Sequence, residues 1–167
     1  MAKDKLQEIF NELSIEFVFY EHPALDNCQE ADKLNLKRQG QRTKNLFLRD
    51  NYGRRHFLLI TKPEKSVDLK ALSKLQNISR LGFASPERLQ KHLAVKPGSV
   101  SLLAIVNDQN QNVEIWIDDE LSMQEGLQCH PLNNEETWVI SGEDIQSFLS
   151  YLKHDFKQLF VPEVGSS

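Results

Sequence analysis

Three short segments of this chain hold residue types that a purely structural role seldom calls for together. Lys44 and Asn45 open a run that continues Leu46-Phe47-Leu48, so a cation and an amide stand at the start of an apolar strand. Lys96-Pro97-Gly98-Ser99-Val100-Ser101 is a glycine-containing loop that feeds a strongly apolar run. His130-Pro131-Leu132-Asn133-Asn134 precedes Thr137-Trp138-Val139-Ile140 and sets a ring nitrogen, donor or acceptor, beside a loop. Each segment also has a plain structural reading. Lys44 can be a solvated cation at a strand end, Gly98 can serve a tight turn, and His130 can be a satisfied structural histidine. Cys129-His130 suggests a thiol–imidazole pair, but in an extended segment neighbouring side chains leave on opposite faces. Cys129 is therefore expected to be a small buried residue.

Several other chemistries lack their residues. G-x-G-x-x-G, Walker A and G-x-S-x-G sequences do not occur, which removes the main support for nucleotide-fold and serine-hydrolase readings. The five histidines (His22, His56, His92, His130 and His154) show no H-x-x-x-H spacing, and there is no C-x-x-C, so neither metal nor cofactor is expected. No apolar run approaches the ~20 residues that span a bilayer. Met1-Ala2-Lys3-Asp4-Lys5 leads into no signal-peptide core, so a cytoplasmic protein is expected. Two cysteines, Cys28 and Cys129, fit a reducing compartment.

Net charge is −4, yet the charge is segregated. Between Lys33 and Lys96 stand sixteen Lys or Arg against four acids, while the flanks carry four Lys against twenty acids. A chain built this way presents one basic face, which suits an RNA backbone. Some of these cations, Lys70, Lys74 and Lys91 among them, fall on helices and are expected to be solvated surface.

The elements that must position these residues follow from periodicity. A length of 167 residues, with 40% apolar and 26% charged, suits one domain around a single core. Leu6, Ile9, Phe10 and Leu13 predict a helix over 3–13. Further helices are predicted over 29–36 and over 68–75, the latter with Leu69, Leu72 and Leu75 on one side. Ser85-Pro86-Glu87 starts another, running to about 93. Ser141-Gly142-Glu143-Asp144 caps a last helix carrying Ile145, Phe148, Leu149 and Leu152. Strands are predicted over 16–21, 44–50, 55–61, 100–106, 113–117 and 138–140. Asn51-Tyr52-Gly53-Arg54 reads as a hairpin turn, and Asn107-Asp108-Gln109-Asn110 as a second turn. The chain past Val161 is expected to fray. The expected fold is a single α/β domain of the α+β type over 1–162, with mainly antiparallel strands and a frayed tail over 163–167.

Taken in order, these segments resemble the YbaK/ProX family of aminoacyl-tRNA deacylases, which includes the editing domain inserted in some prolyl-tRNA synthetases. The resemblance runs from the first helix to the last. It is carried by Thr43-Lys44-Asn45-Leu46-Phe47-Leu48-Arg49-Asp50, by Val95-Lys96-Pro97-Gly98-Ser99-Val100-Ser101 with Asn107-Asp108, and by His130-Pro131-Leu132-Asn133-Asn134 with Thr137 and Ile140. It implies a central mixed sheet wrapped by helices, and hydrolysis in trans of tRNA carrying the wrong amino acid. The implied substrate is alanine on proline tRNA, with cysteine or another small residue as the alternative. The family's functional lysine falls on Lys44, its asparagine on Asn45, its glycine loop on Gly98 and Ser99, and its pocket histidine on His130. The family loop commonly reads Gly-x-x-x-Pro, and here the fifth position is Leu102, at the pocket edge.

The implied mechanism needs no covalent nucleophile, because an aminoacyl ester is already activated. Lys44 would bring its ammonium to the terminal adenosine's phosphate or ester, and main-chain N–H groups from Gly98 to Val100 would grip the acyl end. Asn45 and His130 would hold the substrate by hydrogen bonds. The implied partners are the aminoacylated 3′ end of a tRNA and a prolyl-tRNA synthetase, with no membrane and no DNA. Two rival readings remain open. One is a non-catalytic tRNA-binding or regulatory module of the same fold; the other is an esterase for a small metabolite.

Overall fold

A computed structural model of the chain describes residues 2–15, 18–21, 41–121, 125–129 and 136–164. Its elements in chain order are α1 (Ala2–Glu12), β1 (Val18–Glu21), β2 (Lys44–Arg49), β3 (His56–Thr61), α2 (Leu69–Leu75), β4 (Gly82–Phe83), α3 (Pro86–Leu93), 3-10 turns at Pro97–Ser99 and Leu102–Asn107, β5 (Val113–Asp118), β6 (Leu127–Cys129), β7 (Glu136–Ile140), α4 (Gly142–Tyr151) and β8 (Phe156–Leu159). Every residue of β3 is buried, the pattern of a strand covered on both faces. It sits at the middle of a five-stranded mixed sheet of order β4-β2-β3-β5-β8. β2 pairs antiparallel with β3 and β4, whereas β5 runs parallel to β3 and β8 parallel to β5. A second, antiparallel sheet has the order β1-β7-β6. A parallel bridge between Gln41 and Leu127 ties β6 to the residues that lead into β2.

Alternation along the strands divides the apolar residues between two faces. Phe47, Leu58, Ile60, Ile115 and Ile117 face a large cluster formed with α1, α3, α4, the 3-10 segment and the second sheet. At its centre the Phe10 ring lies 5.5 Å from Trp138 and 5.4 Å from Phe148. Leu48, Phe57, Leu59, Trp116 and Leu159 point the other way, where Leu72 of α2, Leu81 and Val161 cover them.

Local chemistry sets the ends of these elements. Asp68, Ser85 and Ser141 cap α2, α3 and α4 by accepting from the backbone N–H three residues on. In the hairpin between β2 and β3, Asp50 Oδ1 accepts from Arg54 N–H (2.8 Å) and Arg55 N–H (3.1 Å), and Gly53 takes φ +69°. In the turn before β5, the buried Asp108 carboxylate accepts from Asn112 and Val113 N–H and meets His154 Nε2 at 3.2 Å.

The structure departs from the sequence reading in several places. The expected strand over 100–106 is instead the 3-10 segment Leu102–Asn107. Leu102, Leu103, Ala104, Ile105 and Val106 are all buried, so no period of two exists to select a strand, and Ser101 Oγ starts the turn by accepting from Leu103 N–H (3.1 Å). β4, β6 and β8 are short strands that the periodicity did not announce. Leu75 is exposed, so α2 buries Leu72 rather than a three-leucine face. The expected fraying past Val161 does not begin there. Pro162 O accepts from Asp68 N–H (2.9 Å), Glu163 bridges Val67, and Val164 N–H donates to Ser66 O (2.8 Å). The expected helix over 29–36 lies outside the described residues.

Candidate active site

Lys44 is the first residue of β2 and stands opposite Thr61. The chain reaches it along β6. Gln41 N–H donates to Gly126 O (3.0 Å), Gln128 N–H to Gln41 O (2.9 Å), and Thr43 Oγ1 to Gln128 O (2.9 Å). Gly126 takes φ +79°, and a Cβ there would stand 3.0 Å from Ile140 O, so this junction needs glycine. The start of β2 is thus fixed against β6, which ends at Cys129; His130 lies outside the described residues.

Lys44 and Asn45 leave the strand on opposite faces. Lys44 belongs to the side of Leu46 and Leu48, and its ammonium donates to the carbonyl of Lys65. Asn45 belongs to the side of Phe47. Its Oδ1 is buried and, among the described residues, meets no hydrogen-bond donor. A buried acceptor left in that state costs about 1–3 kcal/mol.

The glycine loop lies on the Asn45 side, since Val95, Val100 and Leu102 pack into the same large cluster as Phe47. Gly98 is the middle residue of the turn Pro97–Ser99, where the Ser99 N–H donates back to Lys96 O (2.9 Å). A 3-10 conformation is open to any residue, so the turn itself does not demand glycine. Leu102 is buried as the first residue of the next turn. Asn45 and the 98–102 loop therefore share one face of the sheet, and Lys44 starts from the other.

Beneath Lys44 is a group that the sequence reading missed. Lys65 is 2% exposed, and its ammonium meets Asp118 Oδ2 (2.8 Å), Glu120 Oε2 (3.0 Å) and Val161 O (3.0 Å). Asp118 is fully buried and accepts from Thr61 Oγ1 at 2.5 Å. Burial pulls the Lys65 pKa down, but the bonds to Asp118 and Glu120 outweigh it and raise the pKa. The one available signal was Asp118 itself, a carboxylate on the inward register of Val113–Asp118. Nothing in Lys62-Pro63-Glu64-Lys65 marks which lysine turns inward.

Cations that form no ion pair among the described residues collect at the other end of β2. Arg55 pairs with Glu114, and Lys62 and Lys65 with Glu120. Arg54, Arg80 and Lys91 are exposed and form no ion pair among the described residues. Arg54 lies 5.8 Å from the Tyr52 ring, and Arg80 follows Ser79, whose Oγ accepts from Asn51 N–H (3.1 Å). Lys91 is three residues beyond Arg88, which donates to Gly53 O and to His56 Nε2, each at 3.1 Å. Tyr52 and Phe83 are 70% and 64% exposed, so this end offers both charge and ring faces.

Two further groups have shifted acidities. Burial first, then the neighbouring His92 and Arg88, push His56 down to about 4, with Asp50 opposing. Neutral His56 is then a fit acceptor for Arg88. Burial pushes the Cys129 thiol up to about 12, which leaves it unsuited to act as a nucleophile. Among the described residues no group of three His, Cys, Asp or Glu side chains could hold a metal ion, and no helix is long and apolar enough to cross a membrane.

The aminoacyl-tRNA editing domain family matches residues 22–148. The prolyl-tRNA editing protein ProX of Acetoanaerobium sticklandii is 33% identical over 158 residues, covering 95% of this chain and 96% of that protein. Prolyl-tRNA synthetase associated domain-containing protein 1 of Danio rerio is 31% identical over 154 residues, covering 91% and 83%. Among solved structures, the hypothetical protein APE2540 aligns over 94% of this chain and 98% of its own, with a TM-score of 0.71 at 13% identity. A crystal structure described as a candidate trans-editing enzyme for prolyl tRNA synthetase aligns over 97% of both chains, with a TM-score of 0.67 at 16% identity. The class is that of a hydrolase, an aminoacyl-tRNA deacylase. The chain belongs to the aminoacyl-tRNA editing domain family.

Proposed function

We propose that this enzyme removes alanine from mischarged proline tRNA, in trans, by hydrolysing the ester at the 3′-terminal adenosine. The observation that carries the reading is the buried amide oxygen of Asn45, one residue from Lys44, which meets no donor among the described residues. An aminoacyl ester brings the missing donor in its α-ammonium group. With that group on Asn45 Oδ1, the acyl carbonyl oxygen turns toward the Gly98 loop. There Ser99 N–H is already taken by Lys96 O, so Gly98 N–H is the donor for the developing oxyanion. The lack of a Cβ at Gly98 permits that approach. Lys44, at the very end of its strand, meets the adenosine's phosphate or ester from the opposite side. Ser99 and His130 complete the hold on the substrate.

Water then adds to the acyl carbon, the bond from that carbon to the ribose oxygen breaks, and the ribose oxygen takes up a proton. Products are free amino acid and deacylated tRNA. A cavity that admits a methyl side chain excludes proline by steric overlap, whereas favouring a larger residue gains only ~1–3 kcal/mol per methylene. Arg54, Arg80 and Lys91, which form no ion pair among the described residues, supply the electrostatic attraction that a tRNA body needs. The name of the Danio rerio relative, a prolyl-tRNA synthetase associated domain-containing protein, supports a prolyl-tRNA synthetase as a partner.

One observation favours a second substrate. Leu102 replaces the proline common in the family loop and is buried in the core, so the loop's path is set by packing rather than by a rigid ring. Proline tRNA charged with cysteine or another small residue is then the competing substrate. Ala-, Cys- and Ser-charged proline tRNA, assayed side by side with prolyl-tRNA, should show alanine released fastest and proline retained. Tight tRNA binding with no release from any of them would make the chain a binding module instead.

A further inference from the structure

We infer that the buried Lys65–Asp118 ion pair is a positioning device for Lys44, holding the Lys65 carbonyl where the Lys44 ammonium docks. The inference rests on the reading of Lys44 given above. Lys65 closes a turn whose N–H donates to Lys62 O (3.1 Å), directly after Thr61, the cross-strand partner of Lys44. Its side chain does not follow the other lysines into solvent. It enters the protein and is held by three oxygens, from Asp118, Glu120 and Val161. Asp118 is held in turn by Thr61 Oγ1 and by Glu120 N–H, which donates to Oδ1 at 3.0 Å. With the side chain anchored at its far end, the backbone of residue 65 has little freedom, and its carbonyl oxygen is the acceptor for Lys44.

Stability alone is a poor explanation for this arrangement. Taking an ammonium and a carboxylate out of water is expensive, and apolar residues of similar volume commonly serve a fold as well or better. What an anchored ion pair supplies, and a methionine would not, is a fixed backbone beneath a flexible four-carbon side chain. A lysine that must meet one phosphate or one ester loses rate when its ammonium wanders by an ångström. Lys65 and Asp118 are positioning residues in this scheme and touch no substrate.

The test pairs activity with a direct view of the ammonium. Lys65→Met/Asp118→Leu replaces both charges by apolar groups, and is assayed on alanyl-tRNA(Pro) beside Lys44→Ala. The expected result is a kcat lower by about tenfold to a hundredfold, with KM within about twofold. Wild-type kcat in the double variant, while Lys44→Ala is inactive, overturns the positioning role and leaves the role of Lys44 intact. Full activity in Lys44→Ala overturns the reading of Lys44 itself. Should the double variant fail to fold, the wild-type enzyme still decides. The Lys44 Nζ resonance in a 15N-lysine spectrum, assigned by its absence in Lys44→Arg, should exchange more slowly with solvent than that of exposed Lys70. Equal exchange rates would overturn the proposal.

Discussion

Lys44 and Asn45 adjoin in sequence and diverge in space, the ammonium reaching the Lys65 carbonyl on one face of the sheet and the amide oxygen entering the large core on the other. Only a molecule that wraps the end of β2 can touch both. An RNA 3′ end is such a molecule, with its phosphate and its acyl group on either side of one ribose. Under the proposed reading, the divergence serves two distinct duties, charge on one side and acyl recognition on the other.

Replacing Lys44 by alanine should lower deacylation of alanyl-tRNA(Pro) by about a hundredfold or more, the scale on which a lost positioning contact to the substrate costs rate. Thermal stability should hardly move, because the side chain is half-buried and its ammonium bonds one carbonyl. Single-turnover rates and a melting curve check both halves. An unchanged rate would remove Lys44 from the chemistry.

Asn45→Ala separates stability from function in the opposite sense. It deletes a buried oxygen that meets no donor among the described residues, so the variant should be as stable as the parent or more so, by up to about 1–3 kcal/mol. KM for the charged tRNA should rise, because the α-ammonium loses its acceptor. A stability loss without a change in KM would assign Asn45 to the fold alone.

The three exposed cations near the hairpin turn predict a salt effect. Arg54→Ala, Arg80→Ala and Lys91→Ala combined should weaken tRNA binding at low salt. The slope of log affinity against log salt should become shallower by about 2–3, since each lost phosphate contact removes about 0.7–0.9. Hydrolysis of a short aminoacylated oligonucleotide should persist. An unchanged slope would place the tRNA body elsewhere on the protein.

His56 predicts a pH dependence of stability. An ordinary imidazole titrates near 6.5, whereas folded His56 titrates at about 4. Below pH 6.5 the unfolded chain takes up a proton that the folded chain refuses. Stability should thus fall as pH drops from 6.5 to about 4, by roughly 2–3 kcal/mol, and this contribution should level off below that. His56→Gln keeps an acceptor for Arg88 and should flatten that interval in urea titrations. An equally steep fall in the variant would trace the effect to other groups.

Much of this protein was legible in the sequence where the signal is local. Ser85-Pro86-Glu87 and Ser141-Gly142-Glu143-Asp144 marked helix starts because a side-chain cap needs only residues three apart. Asn51-Tyr52-Gly53-Arg54 marked the hairpin because a turn signature spans only four residues, and the structure adds Asp50 Oδ1, which closes the turn. The ordered motifs around Lys44 and Gly98 pointed to the editing family, which the match over residues 22–148 establishes. The 3-10 segment Leu102–Asn107 was misread as a strand, because a run of residues buried on every side carries no period.

Residue types and their spacing, acting over three or four positions, determined the caps, the turns, the central apolar strand and the family. Pairings made across the chain decided the rest: which face Lys44 and Asn45 take, and that Lys65, alone among the neighbouring lysines, turns inward to meet Asp118 fifty-three residues later. Burial of a charge depends on what lies around it in space, and no property of Lys65 within its own segment distinguishes it from Lys62.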